Sequence, residues 1–123
     1  MLGYVTIGSN DLANASAFYE ALFAPLGVKI LHRFDRGIFF GQDRWEVAVV
    51  TPHNGAAATV GNGAMIALQA PSRAVVDEVY ALALHMGGSD EGAPGIRGRA
   101  ESGFYGAYFR DPEGNKLCLF HQS

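Results

Sequence analysis

Few residues of this chain have the side chains of a reactive site. The single cysteine, Cys118, lies in an apolar run near the C-terminus. Such a thiol is either a nucleophile beside a histidine or a small buried apolar group, and the second interpretation is favoured inside a strand. The four histidines are His32, His53, His85 and His121. His32 and His53 are conceivable acid–base groups, but no carboxylate at an informative spacing singles either out, and a solvated surface position is the alternative for each.

Arg97 and Arg99 are the basic residues with the clearest potential to bind a ligand. They follow the glycine-rich segment 91–96, in a position expected to be a loop before the last two strands. An arginine in such a loop can bind a carboxylate or phosphate through two parallel hydrogen bonds. A solvated loop arginine is the alternative. The segment lacks the strand-to-helix setting of a nucleotide-binding loop.

The first half of the chain predicts one β-α-β-β-β module that would position these groups. Apolar residues recur at spacings of three and four from Asp11 to Phe23, which is typical of an amphipathic helix, and Ser9 or Asn10 could cap it. Short runs rich in β-branched and aromatic residues predict the strands. The predicted order is a strand over 2–7, a helix over 11–23, and strands over 28–34, 37–41 and 45–51.

The second half repeats the first. A strand over 64–69, a cap at Ser72, an amphipathic helix and a glycine stop recur in the same order. The aligned pairs are Tyr4 with Met65 at a shift of 61, and Phe39 with Tyr108 and Val49 with Cys118 at a shift of 69. The segment 111–115, with its proline and glycine, predicts a turn between two paired strands.

The predicted architecture is therefore α+β. We expect a single domain over 1–123, made of a first module over 1–56, a linker over 57–62 and a second module over 63–123. Mixed sheets would curve around a central cleft, with the helices on the outer face, and ligands usually bind in such concave sites.

Two stretches resemble the vicinal oxygen chelate superfamily, which includes glyoxalase I, extradiol dioxygenases, fosfomycin-resistance transferases, methylmalonyl-CoA epimerase and bleomycin-resistance proteins. One is the opening Tyr4-Val-Thr-Ile-Gly-Ser-Asn-Asp-Leu12 with Ala17-Phe-Tyr19. The other is the closing Phe109-Arg-Asp-Pro-Glu-Gly-Asn-Lys-Leu117. The resemblance covers almost the whole chain.

For metal-dependent members, the resemblance implies four ligands, usually His, Glu, His and Glu, on the first and last strands of each module. The matching positions here are Tyr4, Val49, Met65 and Cys118. Valine has no donor atom, and a thioether and a thiol suit a hard divalent ion poorly. Strand alternation sets Glu46 on the face opposite Val47 and Val49. We therefore expect no divalent metal and no other cofactor.

The candidate ligand-binding residues combine an apolar enclosure with polar contacts. Strand alternation predicts Trp45 on the face of Val47 and Val49, where it could stack on an aromatic ligand or pack in the core. The predicted lining of the cleft is Tyr4, Phe39, Trp45, Val49, Met65, Arg97, Arg99, Tyr108 and Cys118.

Composition narrows the function further. The net charge of −3 and the pI near 5.7 do not indicate a positively charged surface that would bind nucleic acid or an anionic membrane. One cysteine and no signal-like N-terminus favour the cytoplasm. We expect a metal-independent binder of a small organic molecule, or a modest enzyme, and the resemblance also implies a homodimer. The alternatives are a metal-dependent lyase or dioxygenase, and a resistance protein that sequesters an antibiotic without turnover.

Overall fold

The computed structural model describes residues 1–123 and divides them into two compact units, Met1–Val60 and Gly61–Ser123. Each unit contains one helix and a four-stranded mixed sheet. The predicted α+β class with two β-α-β-β-β modules is therefore confirmed. The single-domain organisation and the linker over 57–62 stay predictions. Neither helix is long and apolar enough to cross a membrane.

In the first module the sheet has the order β1-β4-β3-β2. The outer strand β1 is parallel to β4, and the other neighbours are antiparallel. The elements are β1 (Val5–Gly8), α1 (Leu12–Phe23), β2 (Lys29–Phe34), β3 (Gly37–Gly41) and β4 (Val47–Val50).

The second module repeats this topology in the order β5-β8-β7-β6. The elements are β5 (Ile66–Gln69), α2 (Arg73–His85), β6 (Ser89–Ile96), β7 (Phe104–Arg110) and β8 (Lys116–Gln122). The segment expected to be a glycine-rich loop is mostly strand β6. Its register shifts twice against β7, around Gly92 and before Gly95, and these irregularities accommodate its extra residues.

Local side-chain caps fix where both helices begin. Asp11, not Ser9 or Asn10, caps α1, because its carboxylate accepts a hydrogen bond from the Asn14 backbone N–H at 3.1 Å. The Ser9 hydroxyl accepts from the Asp11 N–H at 3.0 Å instead. In the second module the predicted cap is confirmed: the Ser72 hydroxyl accepts from the Val75 N–H at 3.2 Å.

Each sheet packs one face against the helix of its own module. Residues directly opposite each other in neighbouring strands share a face, and successive residues alternate. The Phe40 ring lies 5.1 Å from the ring of Phe23 in α1, so Phe40 and its partner Val47 face the helix. Phe39 and its partner Ala48 therefore point to the other side. We call this side the open face of the first sheet.

The same rule defines the open face of the second sheet. The Tyr105 hydroxyl donates to the carboxylate of Asp77 in α2 at 2.6 Å, so Tyr105 faces the helix. Tyr108, three residues later in β7, points to the opposite side together with its partner Cys118. Candidate ligand contacts should lie on these open faces, since the helix-facing sides form the two cores.

Candidate functional site

A cluster of aromatic rings covers the open face of the first sheet. Its centre is Phe39 of β3, whose ring centroid lies 3.9 Å from Trp45, 5.1 Å from Tyr4 and 5.6 Å from Phe34. Trp45 is stacked on Phe39 with an angle of 18° between planes, and Tyr4 meets Phe39 edge to face at 83°. His32 of β2 stacks on Trp45 at 5.9 Å. We call these five residues the aromatic cluster.

The outer rings of the aromatic cluster remain accessible. Tyr4 is 49% exposed and Trp45 is 43% exposed, whereas Phe39 beneath them is 8% exposed. A large ring that is held in place yet half accessible offers a preformed stacking surface, and little side-chain entropy remains to be lost when a ligand covers it. The cluster can therefore bind a flat apolar group.

The predicted face of Trp45 is wrong. Trp45 stacks on Phe39, whereas Val47 faces α1. Alternation fails because Trp45 belongs to the turn before β4, where the Arg44 carbonyl oxygen lies within 1.8 Å of the position that a Cβ on Gly41 would take. In such a tight reversal the backbone dihedrals, not the pleat of a strand, set the direction of the side chain.

Val49 is also misassigned by one residue. It lies opposite Ile38, is fully buried and points to the helix-facing side of the sheet. Ala48 is the residue opposite Phe39, as Cys118 is opposite Tyr108. The last strands of the two modules therefore correspond at a shift of 70, that is 118 − 48, because the first β-hairpin is one residue shorter.

Glu46 has a structural contact rather than a position in a site. Its carboxylate accepts a hydrogen bond from the Gln42 backbone N–H at 2.9 Å and so closes the turn between β3 and β4. Its own N–H donates to the Phe40 carbonyl at 2.9 Å. The Glu46 carboxylate is thus engaged in the turn.

On the open face of the second sheet, Tyr108 of β7 and Cys118 of β8 lie directly opposite each other. Cys118 is 1% exposed. Burial raises the pKa of its thiol above the ordinary value, although the Tyr108 hydroxyl and the charges of Arg97 and Lys116 oppose that shift. The thiol is therefore protonated near neutral pH, which disfavours a nucleophile.

Two cations flank the Tyr108 ring. The Arg97 guanidinium carbon lies 5.3 Å and the Lys116 Nζ 5.8 Å from the ring centroid, both within the range of cation–π attraction. Arg97 also donates through Nη2 to the Ala93 carbonyl at 2.6 Å, which fixes its direction. A Cβ at Gly92 would lie 3.1 Å from Arg97 Nη2, so this glycine leaves room for the guanidinium.

The other predicted residues of the second module are peripheral to this group. Arg99 is exposed and precedes the short 3-10 turn Ala100–Ser102. Met65 precedes β5 and is 44% exposed. Of the two arginines proposed from sequence, only Arg97 contacts Tyr108.

Sequence reasoning missed His32, Phe34 and Lys116 as members of these groups. The bulge in β2 between Ile30 and His32 shifts the register by one residue and so sets His32 and Phe34 on the face of Phe39. Uninterrupted alternation from Ile30 would have set both on the helix-facing side. For Lys116 the signal was present, because it stands two residues before Cys118 on the same strand and face. The other histidines lie elsewhere: His121 contacts the Ala70 carbonyl through Nδ1 at 3.0 Å, and His85 ends α2.

The donor set at the positions expected for a metal can be tested one module at a time. In the first module Tyr4 provides a phenol, and neither Ala48 nor Val49 provides a donor. In the second module Met65 provides a thioether, and Cys118 a thiol that its surroundings keep protonated. A hard divalent ion prefers carboxylate and imidazole ligands, so these residues do not fit one. No cluster of three or more His, Cys, Asp or Glu side chains is present.

Comparison with solved structures identifies relatives of this chain. A glyoxalase/bleomycin resistance protein from Albidiferax ferrireducens T118 is 35% identical and superimposes with a TM-score of 0.91, over 100% of this chain and 99% of that one. The fosfomycin resistance protein FosX from Listeria monocytogenes is 19% identical with a TM-score of 0.74, over 100% and 93% of the two chains. Lactoylglutathione lyase from Agrobacterium tumefaciens is 22% identical with a TM-score of 0.66, over 98% and 92%.

The last two structures share only the fold with this chain, because sequence identities of 19% and 22% do not imply a common activity. Among curated proteins, none matches the chain. The model of the glyoxalase/bleomycin resistance protein/dioxygenase superfamily matches residues 1–119. Together with the structure from Albidiferax ferrireducens, this match shows that the chain belongs to the glyoxalase/bleomycin resistance protein/dioxygenase superfamily.

Proposed function

We propose that this protein binds a small organic molecule with a flat aromatic or conjugated part, and that it does so without a divalent metal. The observation that carries the proposal is the stack of Trp45 on Phe39, at 3.9 Å between centroids, with Trp45 and Tyr4 about half exposed. A third ring placed against Trp45 would extend a stack that already exists.

The energetics favour such a ligand. Each aromatic pair contributes about 0.5–1.5 kcal/mol beyond the burial of its area, and apolar burial adds roughly 25 cal/mol per Å². Phe39, Tyr4 and His32 contact the Trp45 ring from several sides, so most of the ordering cost is met on folding. A rigid surface of this kind selects for shape and planarity rather than for charge.

The fluorescence of Trp45 provides a direct test, because it is the only tryptophan in the chain. Planar compounds would be titrated beside saturated analogues of the same charge, for example benzoate beside cyclohexanecarboxylate. We expect saturable changes with the planar member of each pair and weaker binding of its saturated analogue. Thermal shift with the same compounds should give a midpoint that rises with ligand concentration.

Variants locate the binding to the aromatic cluster. In the thermal-shift assay Trp45→Ala should abolish the ligand-induced rise, whereas Trp45→Phe should retain part of it because a ring remains. The proposal is wrong if no planar compound binds, if saturated analogues bind as tightly, or if Trp45→Ala binds like the wild type.

Whether the bound molecule is also converted separates an enzyme from a sequestering protein. The name of the matching family includes bleomycin resistance proteins as well as enzymes. For a sequestering protein, the ligand should be recovered unchanged after prolonged incubation at saturating protein. For an enzyme, mass spectrometry should detect a product whose amount scales with protein and incubation time.

A metal-dependent lyase or dioxygenase is the second enzymatic alternative. Such an enzyme must bind a metal, but the expected ligand positions of this chain have no carboxylate or imidazole. The metal-free interpretation is therefore favoured. Elemental analysis of protein purified without chelators would restore the alternative if it found about one Fe, Mn, Ni or Zn per chain.

We also propose a homodimer in the cytoplasm. The expectation of a dimer derives from the family resemblance, and that of the cytoplasm from the single cysteine, which cannot form an intrachain disulfide. Light scattering coupled to size-exclusion chromatography would give a mass near twice 13.1 kDa if the dimer forms.

A further inference from the structure

We propose that the open face of the second sheet binds a small oxyanion, a carboxylate or a phosphate-type group, between Arg97 and Lys116 beside the Tyr108 ring. The inference rests on the proposed function, since it identifies the open faces as ligand surfaces and adds an anionic group to the class of ligand. The residues that carry it all lie in the second module.

The geometry sets two cations on one aromatic ring. Arg97, the residue after β6, lies 5.3 Å from the centroid of the Tyr108 ring, and Lys116 of β8 lies 5.8 Å from it. Because both positive charges lie within about 6 Å of the same ring, an anion at the edge of that ring would be attracted by both and could accept hydrogen bonds from both.

No acidic side chain of the protein forms a salt bridge with Arg97 or Lys116. A salt bridge joins Arg110 to Glu91, with Nε and Oε1 2.5 Å apart. Glu91, the residue next to Gly92, is therefore paired with Arg110. Arg97 and Lys116 have no acidic partner within salt-bridge distance. Arg97 uses one N–H on Ala93, so most of its donors remain for a ligand.

The centre of the group stays neutral. Burial and the neighbouring Cys118 raise the pKa of the Tyr108 phenol above its ordinary value, so the hydroxyl keeps its proton and adds no negative charge. The net charge of the group formed by Arg97, Lys116, Tyr108 and Cys118 is therefore positive at neutral pH, although the chain as a whole carries −3. A local positive site on an acidic protein favours a specific anion over general charge attraction.

Arg99 provides a matched control. It stands two residues from Arg97 and has the same charge, but it is exposed and is not one of the two cations in contact with the Tyr108 ring. If general electrostatic attraction explained anion binding, removing either arginine would have the same effect. If the geometry explains it, only Arg97 matters.

The experiment is a titration of the full, ¹⁵N-labelled chain with inorganic phosphate and, separately, with acetate. Sodium chloride keeps the ionic strength constant, because exposed charges are screened by salt. The probes are the backbone amide resonances of Gly92, Arg97 and Lys116. We expect saturable shifts with at least one anion, and the comparison of phosphate with acetate identifies the chemical source.

Variants should weaken the binding selectively. Arg97→Gln and Lys116→Gln should each weaken it about tenfold or more, as expected when a charge-assisted hydrogen bond is lost. Arg99→Gln should change it by less than about twofold, and Lys116→Arg should restore most of it, because charge and donors are retained. If Arg97→Gln disturbs the fold of β6, Lys116→Gln still tests the inference, because Lys116 lies in β8.

Three results would overturn the inference: shifts that stay linear with both anions, equal losses in Arg97→Gln and Arg99→Gln, or wild-type affinity in Lys116→Gln. Failure here is distinguishable from failure of the proposed function. Planar neutral compounds report through the fluorescence of Trp45 in the first module, whereas the anions report through resonances of the second.

Discussion

Tyr108 and Cys118 lie directly opposite each other across the β7–β8 hairpin and share the open face of the second sheet. In the first module the same two places are held by Phe39 and Ala48. The pseudo-repeat therefore preserves the register of the hairpin but differs in chemistry: one sheet presents an apolar ring, and the other a phenol and a thiol between two cations. That asymmetry underlies the two proposals above.

The buried thiol should make the protein lose stability in alkali. In the unfolded chain Cys118 ionises near pH 9.0, whereas in the folded chain burial raises its pKa, so the folded state keeps the proton longer. The contribution to stability is fully present below pH 9.0 and is lost as pH rises through the folded pKa. The midpoint of thermal unfolding, measured from pH 7 to pH 11, should therefore fall above about pH 9.

Cys118→Ala is the control for this effect. Tyr80, Tyr105 and Tyr108 have raised pKa values as well, but they are present in both proteins. The alkaline fall of the midpoint should be less steep in the variant than in the wild type. Identical slopes would show that Cys118 does not contribute.

Asp111 should be the residue of the last hairpin turn that contributes most to stability. Its carboxylate is buried and accepts hydrogen bonds from the Glu113 and Asn115 backbone N–H groups at 3.0 and 2.9 Å, and from Asn115 Nδ2 at 2.9 Å. Asp111→Ala would remove these three hydrogen bonds, at a cost of about 2–3 kcal/mol. Asp35→Ala, in the exposed turn between β2 and β3, should cost less than about 0.5 kcal/mol. Urea unfolding of the two variants checks the difference.

Phe39 should be the structural centre of the aromatic cluster. It is 8% exposed and contacts Tyr4, Phe34 and Trp45, so Phe39→Ala should lower the free energy of unfolding by about 3–4 kcal/mol. Trp45→Ala should cost about 1–2 kcal/mol, because Trp45 is 43% exposed and loses mainly its ring contacts. Denaturant unfolding measures both, and a larger loss for Trp45→Ala would contradict this order.

Divalent ions should have no specific effect on stability. Ala48 and Val49 have no donor atom, and Met65 and Cys118 offer only a thioether and a protonated thiol. Mg²⁺, Mn²⁺ or Ni²⁺ should therefore leave the thermal midpoint of the wild type unchanged, and a chelator should not lower it. The matched variant carries Tyr4→Ala and Cys118→Ala together. A rise with added ions in the wild type that is lost in this variant would refute the metal-free proposal.

Strand alternation worked wherever a residue lay inside a regular ladder. It set Tyr108 with Cys118 on one face, and His121 on the other, where it contacts Ala70. It failed at Trp45, in a turn, and at His32, beyond a bulge. In both places the direction of a side chain depends on backbone dihedrals that neighbouring residues in the sequence do not specify.

The sequence by itself determined the element types, the repeated module and the turn at 111–115, because periodicity, caps and the residues of a tight turn act over a few neighbouring residues. Only the tertiary structure decided that Trp45 joins Phe39, that Ala48 rather than Val49 lies opposite it, and that Arg97 rather than Arg99 meets Tyr108. These relationships join different strands and turns. They depend on register and on the exact length of each connection, and a shift of one residue moves a side chain to the other face.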